Sequence, residues 1–376
     1  MAIVLGIIGG GQLGMMLAEA AKKMPDNISE VVVLDPTLGC PAAQIGVSQI
    51  VANFDNYKAI KELAKRSDII TYEIESGNAD ALESVSNIVQ VSPSPDTLRT
   101  LQDKYIQKQF LHKHDIPVGK FSVINSIDDV YTKAREFGFP VLLKARYGAY
   151  DGRGNYLVDS ESCIEKAYEY FSGKPVYMER HIDFDLEVSV IAARNTKGEI
   201  KTYPLVENIH KDGILCTTVA PARTDSQVAQ NAEQISHMVM ENLKGAGVFG
   251  IEMFVTSDRK VLINEIAPRV HNSGHHTLQS SATTQFEQHL RAILGLKLGS
   301  TILLHRTVMQ NILGPKSFSG AYTCDDIIGD GVYLKMYNKS ESRPLRKLGH
   351  LNVVETSTNE DLISRVMSIN ISIKPT

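Results

Sequence analysis

The chain has 376 residues, of which 43% are apolar and 22% charged, an ordinary globular composition that excludes general disorder. At about 100–200 residues per domain it should hold two or three domains. With 39 Lys+Arg against 43 Asp+Glu the net charge is −4, which argues against nucleic-acid or anionic-membrane binding and leaves anion recognition to local cationic clusters.

The opening MAIVLGIIGGGQLG has no basic leader and is interrupted early by glycine, so it does not read as a secretory signal. Residues Ile3 to Ile8 predict a buried parallel strand, and Leu13, Met16, Leu17, Ala20, Ala21 and Met24 then repeat at helical spacing. VVVLDP (31–36) predicts a second strand, KAIKELAKRSDIITYE a helix and a strand, and SVSNIVQVSPSP another strand, giving an open α/β unit over residues 1–96. SPSPDT (92–97) punctuates the chain, with Asp96 placed as a cap, and a helix is expected from Thr97 to about His114. FGFPVLLKAR (137–146) and PVYMER (175–180) predict strands around the helix SCIEKAYEYF. Residues 185–270 read mostly as strands, with one helix near 226–244, so a second unit covers 97–299. Short strand-like pieces with turn signals then predict a small β-rich unit over 300–376. The expected class is α/β and α+β, led by a Rossmann-like N-terminal domain. No stretch reaches 18 uninterrupted apolar residues, so no membrane span is expected. Cys40, Cys163, Cys216 and Cys324 lie far apart with no C-x-x-C pair, which removes support for zinc ribbons and disulfide scaffolds and fits a reducing cytoplasm.

Five motifs carry chemistry. Gly9, Gly11 and Gly14 satisfy G-x-G-x-x-G between strand and helix, with Asp35 ending the next strand. This is the dinucleotide fingerprint, but the same tight turn brings a helix N-terminus up to any anionic or polar ligand, and both readings stay open. A second glycine loop, Tyr147 to Gly154 (YGAYDGRG), follows Lys144 at the end of an apolar strand. Its backbone N–H groups can fold over phosphates beside that ammonium, with Glu179 and Glu187 downstream as acceptors for a nucleoside; an ordinary polar hairpin loop is the alternative. GVFGIEMFVT (247–256) and VLINEIAPR (261–269) flank the turn SDRK. A hairpin centred between Asp258 and Arg259 opposes Glu252 to Glu265 on one face, roughly 4.5–5.5 Å apart. Two carboxylates among apolar neighbours repel unless a cation joins them, and Mg²⁺ bridging phosphate oxygens suits such hard ligands; two solvated acids are the alternative. Arg269 to His276 (RVHNSGHH) is dense in donors. No Cys or carboxylate set completes a zinc site there, so an anion loop is expected, with Arg269 as a fixed cationic fork and Asn272 and Ser273 as neutral donors. Lastly, Lys335, Arg343, Arg346 and Lys347 lie in KMYNKSESRPLRKLGH, either as solvated surface or as the seat of an anionic substrate group.

Together, GGGQLGMM (9–16), TYEIES (71–76), YGAYDGRGN (147–155), NIHKDGIL (208–215), NEIAPRVHNSGHH (264–276) and RPLRKLGHLN (343–352) resemble the ATP-grasp superfamily. Within it they resemble the N5-carboxyaminoimidazole ribonucleotide synthetases, ATP-dependent carboxylases of purine biosynthesis. The resemblance spans nearly the whole chain in order. It implies three domains (Rossmann-like, ATP-grasp and a small C-terminal β domain), a homodimer, and no nucleic-acid or membrane partner. It also overturns the dinucleotide reading, because in such enzymes the first glycine loop faces the acceptor substrate. By this resemblance Gln12 and Glu73 contact 5-aminoimidazole ribonucleotide. Lys104 and Lys144 meet the ATP phosphates, with Gly152, Arg153, Gly154 and Asn264 also on the nucleotide. Glu179 and Glu187 take the adenine edge and ribose, and Glu252 and Glu265 hold Mg²⁺. Tyr150, Asp151, Arg269 and His271 serve catalysis, and Asn272, Ser273, Lys335, Arg343 and Arg346 bind the substrate. Ala267 stands two residues after Glu265, where many ATP-grasp proteins carry Asn, and fits the carboxylase branch.

The implied reaction joins ATP, bicarbonate and the ribonucleotide through carboxyphosphate. The nearest rival is a formate-dependent glycinamide ribonucleotide transformylase of the same fold, against which Gln12 and the RKLGH segment speak. A non-catalytic nucleotide-binding regulator is opposed by the intact Glu252/Glu265 pair, and a nicotinamide oxidoreductase is testable by NAD(P)H binding.

Overall fold

The apolar run at the start forms strand β1 (Ile3–Ile8), the centre of a parallel sheet with β2 (Ile28–Leu34), β3 (Ser48–Ile50), β4 (Ile69–Tyr72) and β5 (Gln90–Val91), in the order β3-β2-β1-β4-β5. The computed structural model describes residues 2–148, 154–357 and 360–376. Successive strand residues point to opposite faces. Leu5, Ile7, Val31 and Val33 pack with the helix Gln12–Lys22, while Ile8, Val32 and Leu34 pack with the helix Tyr57–Arg66. Both faces are buried, so these strands read as continuous apolar runs rather than as alternation.

The long helix expected from Thr97 to about His114 is two helices, Pro95–Gln102 and Lys104–Lys113. Ser94 caps the first, with Pro95 opening it, so Asp96 is a first-turn acid and not the cap. Asp103 leaves the helical region (φ −92°, ψ 106°) and its carboxylate accepts from the backbone N–H groups of Tyr105 and Ile106. An internal N-cap is the local reason for the break.

Next comes an antiparallel sheet of β6 (Phe121–Ile124), β7 (Val141–Ala145), β8 (Asn155–Val158) and β9 (Val176–Arg180), ordered β6-β9-β7-β8. Val141, Leu143, Ala145, Val176 and Met178 face the helices Ile127–Phe137 and Ile164–Tyr170. Alternation therefore sends Lys144, Tyr177 and Glu179 to the other face.

A larger antiparallel sheet holds β10 (Leu186–Arg194), β11 (Ile200–Thr202), β12 (Val206–Lys211), β13 (Ile214–Ala220), β14 (Gly247–Val255) and β15 (Val261–Ala267). Val188, Val190, Ile251, Met253 and Val255 pack under the helix Ser226–Leu243, which leaves Glu187, Ser189 and Glu252 on the opposite face. The C-terminal strands are β16 (Thr307–Leu313), β17 (Tyr322–Cys324), β18 (Val332–Met336), β19 (Lys347–Val354) and β20 (Ile373–Pro375). β16, β19 and β18 do not form a sheet of their own: they continue the large one, in the order β15-β14-β10-β12-β13-β16-β19-β18. One core cluster joins Leu17 of the N-terminal unit, Ile191 and Leu290 of the central unit and Tyr337 of the C-terminal unit. A buried polar rivet crosses the same junction: Val248 N–H donates to His289 Nδ1 (3.1 Å), and His289 Nε2 meets Thr71 Oγ1 at 2.8 Å. Among the described residues no helix is long and apolar enough to cross a membrane.

Candidate active site

Glu252 and Glu265 are direct cross-strand partners, as expected, but the turn arithmetic behind that expectation is not what the chain does. Val255 pairs Val261 and Met253 pairs Ile263, which centres the turn on Asp258. A bulge between Glu252 and Met253 on one side, opposite Asn264 on the other, adds one residue and restores the pair. Without it Glu252 would oppose Asn264. The bulge also turns both Ile263 and Ile266 into the core, although they are three residues apart. Bulges of this kind re-aim side chains beside functional sites.

The two carboxylates differ in environment. Lys104 Nζ lies 2.5 Å from Glu265 Oε2. Burial pushes the Glu265 carboxyl up, but the Lys104 charge and hydrogen bond outweigh it and hold the group ionised. Glu252 has His271 Nε2 at 3.4 Å, and burial followed by the charge of Glu265 raises its carboxyl. One part-buried carboxylate of the pair thus lacks a full cationic partner.

On the facing sheet, Lys144 Nζ donates to Glu179 Oε2 at 3.1 Å. Lys108, a buried lysine not singled out in the sequence, contacts Glu179 Oε1 at 3.1 Å and donates to the Ile263 carbonyl at 3.2 Å. Tyr177 Oη also donates to Glu179 Oε1, at 3.0 Å. Both Glu179 oxygens are engaged, which makes it the counter-ion that aims Lys144. Glu187 pairs with His210 Nδ1, a second residue the motifs did not single out; burial lowers the His210 pKa, and the Glu187 hydrogen bond and charge outweigh it and raise it. Gly154 takes φ +81°, and its carbonyl accepts from Ala145 N–H at 2.8 Å, closing the base of the glycine loop. Asp103 anchors that base from below: it receives a fork from Arg146 and a 2.6 Å hydrogen bond from Tyr147 Oη. Tyr150, Asp151, Gly152 and Arg153 lie outside the described residues.

The N-terminal glycine turn borders the same region. Gly10 N–H donates to Asp35 Oδ2 (2.9 Å), and Gly11 N–H to Glu73 Oε1 (2.6 Å). Gly9 has φ +100°, and a Cβ there would sit 2.4 Å from Glu73 Cγ, so only glycine suits the position. Glu73 is buried, and that burial raises its carboxyl to about 7. Gln12 opens the helix beside it, partly exposed. Arg269 Nη2 reaches across to Glu75 at 2.7 Å, tying the loop after β15 to the N-terminal domain. His271 is kept neutral: burial, then the charges of Arg269 and Lys347, lower it to about 3. Ser273 is fully buried against His271, and Asn272 exchanges hydrogen bonds with Asn311 (3.0 and 2.5 Å).

The C-terminal cations are divided. Lys335 Nζ donates to Glu19 of the first helix at 2.5 Å, whereas Arg343 pairs with Glu341 and Arg346 donates to the Glu341 carbonyl at 2.8 Å. Lys347 is the member whose charge is felt at His210 and His271. Lys339 rests its ammonium on the Lys347 carbonyl at 2.7 Å. No group of three or more His, Cys, Asp or Glu side chains gathers for a metal among the described residues.

Family models match in chain order: a ribonucleotide synthetase preATP-grasp domain over residues 1–102, an ATP-grasp domain over 109–286, and a phosphoribosylaminoimidazole carboxylase C-terminal domain over 307–364. The chain is 39% identical to the N5-carboxyaminoimidazole ribonucleotide synthase of Brucella melitensis, covering 94% of this chain and 97% of that one. It is 40% identical to the phosphoribosylaminoimidazole carboxylase of Candida albicans over 97% of its own length, but spans only 66% of that longer protein. Among solved structures, the N5-carboxyaminoimidazole ribonucleotide synthetase of Thermotoga maritima superposes with a TM-score of 0.88 at 41% identity, over 100% of both chains. The Aspergillus clavatus synthase, solved with ADP and 5-aminoimidazole ribonucleotide, gives 0.87 at 32% identity over 98% and 99%. With three domains matched in order and full-length relatives well above 30% identity, the chain belongs to the N5-carboxyaminoimidazole ribonucleotide synthase family of ATP-grasp proteins.

Proposed function

We propose that this chain carboxylates 5-aminoimidazole ribonucleotide on its exocyclic amine with ATP and bicarbonate, giving N5-carboxyaminoimidazole ribonucleotide, ADP and phosphate, in de novo purine biosynthesis. The observation that carries the reading is the meeting of two half-sites at one carboxylate pair. Lys104 pairs with Glu265, Lys144 with Glu179 and Glu187 with His210 on one side, which supports a nucleotide there, and Glu73 with the N-terminal glycine turn lies on the other, tied in by Arg269–Glu75. Glu252 and Glu265, with one carboxylate short of a partner, suit Mg²⁺, which when bound offsets phosphate charge.

Bicarbonate oxygen attacks the γ-phosphoryl group in line, releasing ADP and forming carboxyphosphate. Lys104 and Lys144 hold the phosphates. Arg269 orients the carboxyphosphate by charge-assisted hydrogen bonds, with the neutral His271 beside it. The exocyclic amine then captures the carboxyl carbon or the CO₂ derived from it, and phosphate leaves. The glycine loop 147–154, with Tyr150, Asp151, Gly152 and Arg153, serves as the cover that keeps water from this labile intermediate. The ribonucleotide meets Gln12 and Glu73, and its 5′-phosphate falls to Lys335, Arg343 and Arg346 of the 335–347 segment. The units 1–96, 97–299 and 300–376 act together, in a homodimer of the cytoplasm. ADP release measured with the ribonucleotide, with and without bicarbonate and with formate in its place, tests the reading. Release that follows formate, or that ignores bicarbonate, rejects it.

A further inference from the structure

Behind His271 runs a line of buried polar side chains on three neighbouring strands and the loop after β15. Thr218 Oγ1 donates to Asn208 Oδ1 (3.0 Å), Asn208 Nδ2 to Ser189 Oγ (2.8 Å), and Ser189 Oγ to Ser273 Oγ (2.8 Å). Ser273 Oγ lies 2.9 Å from His271 Nδ1. Thr218, Ser189 and Ser273 are wholly buried, and Asn208 is nearly so. Such groups are costly to bury and survive only when each is satisfied. Here they satisfy one another in series, and the series ends on a site imidazole.

The direction of the line follows from a donor that cannot reverse. Ser273 backbone N–H points at His271 Nδ1 at 3.4 Å, and a backbone N–H only donates. Nδ1 is therefore the acceptor, the Ser273 hydroxyl donates to it as well, and the ring proton sits on Nε2. Nε2 faces the site, 3.4 Å from Glu252 Oε1. Gly250 makes room for this pose, since a Cβ there would lie 2.5 Å from His271 Cγ.

We infer that the Thr218–Asn208–Ser189–Ser273 line fixes Nδ1 of His271 as an acceptor, holds its proton on Nε2 and aims that N–H into the site as a hydrogen-bond donor, which makes Ser189, Asn208 and Thr218 positioning residues. A ring held this way has no lone pair facing the substrates, so it stabilises a developing oxyanion rather than removing a proton. The identity of that oxyanion, the carboxyphosphate carboxylate, rests on the function proposed above; the tautomer does not.

The test uses the full chain labelled with ¹⁵N-histidine. His271 signals, assigned by their loss in His271→Asn, are expected to show a pyridine-like Nδ1 and a pyrrole-like Nε2 in the resting enzyme. Ser189→Ala and Thr218→Val are expected to move the Nδ1 signal toward a weaker hydrogen bond. Both should lower kcat for bicarbonate-dependent ADP release about three- to tenfold, the worth of one hydrogen bond, with KM for ATP unchanged. A pyrrole-like Nδ1 in the unmodified enzyme overturns the inference, as do variants with unmoved His271 signals and full kcat. If a variant fails to fold, the tautomer in the unmodified chain still decides. If no bicarbonate-dependent turnover exists, the proposed function falls while the tautomer measurement judges the inference alone.

Discussion

The Lys108–Glu179–Lys144 triad offers the sharpest test of how this site is held together. Each ammonium lies 3.1 Å from its own Glu179 oxygen, and all three side chains are at most 7% exposed. At an effective dielectric near 20 each contact is worth about 5 kcal/mol gross, most of it offset by desolvation. The two ends are not equivalent. Lys108→Met leaves Glu179 paired with Lys144 and Tyr177, and removes one donor from the Ile263 carbonyl, so it should cost about 1–3 kcal/mol. Glu179→Gln leaves two buried ammoniums facing a neutral amide, and should cost about 3–5 kcal/mol. Urea unfolding at neutral pH measures both. The acid limb gives a second reading. Burial raises the Glu179 carboxyl, but Lys108 and Lys144 outweigh it and bring it from 4.5 down to about 2. A folded value below the unfolded one stabilises fully above pH 4.5, and the contribution is lost as pH falls toward 2. The loss is about 3 kcal/mol at most. Lys108→Met should shrink that acid-sensitive contribution. Lys108→Met destabilising as much as Glu179→Gln, or an acid limb that is the same with and without Lys108, would refute this account of the triad.

Four further outcomes are expected. Glu265→Gln should nearly abolish turnover with an unchanged circular dichroism spectrum; near-normal activity at ordinary Mg²⁺ would remove Glu265 from the metal role. Arg346→Ala and Lys347→Ala should each raise KM for the ribonucleotide roughly 10–150-fold and leave KM for ATP alone; an unchanged ribonucleotide KM in both variants would remove the phosphate from the 335–347 segment. Gly9→Ala, at φ +100° and against Glu73, should cost about 1–3 kcal/mol and weaken ribonucleotide binding, which thermal unfolding and KM would report. Burial raises Glu73 from 4.5 to about 7, so its stabilising contribution is full below pH 4.5 and lost as pH rises through 7. Glu73→Gln should therefore flatten the alkaline limb of the stability curve, and an unchanged limb would contradict the burial argument.

Much of the molecule could be read directly from the order of residues. Continuous apolar runs with glycine punctuation announce a sheet buried on both faces, because helices cover each side and no solvent face demands alternation. The block from Asn264 to His276 and the YDGRG loop carry the family resemblance; in the first of these, Gly274 has no room for a Cβ beside Gln285 and His271 is held by Ser273, which restricts the residues that can stand there. Glu252 and Glu265 could be matched because cross-strand pairing is a local rule. The rest depends on partners distant in sequence. The bulge opposite Asn264 sets which carboxylate faces which, and it arises because Ile263 and Ile266 must both enter one core. The helix break at Asp103 goes with Arg146 and Tyr147, more than 40 positions away, which converge on its carboxylate. Lys108 looks like a solvated helix lysine until β9 brings Glu179 over it, and His210 like a strand residue until Glu187 meets it. Likewise, the cations of 335–347 form one cluster on paper, but β18 and β19 extend the large sheet and send Lys335 to Glu19, Arg346 to a carbonyl and the charge of Lys347 toward His271. Composition and periodicity determined the elements and the chemistry they could carry. Which charges meet was decided by tertiary structure, since the Coulomb and desolvation terms that govern a buried ion depend on neighbours a few ångströms away in space, however far along the chain.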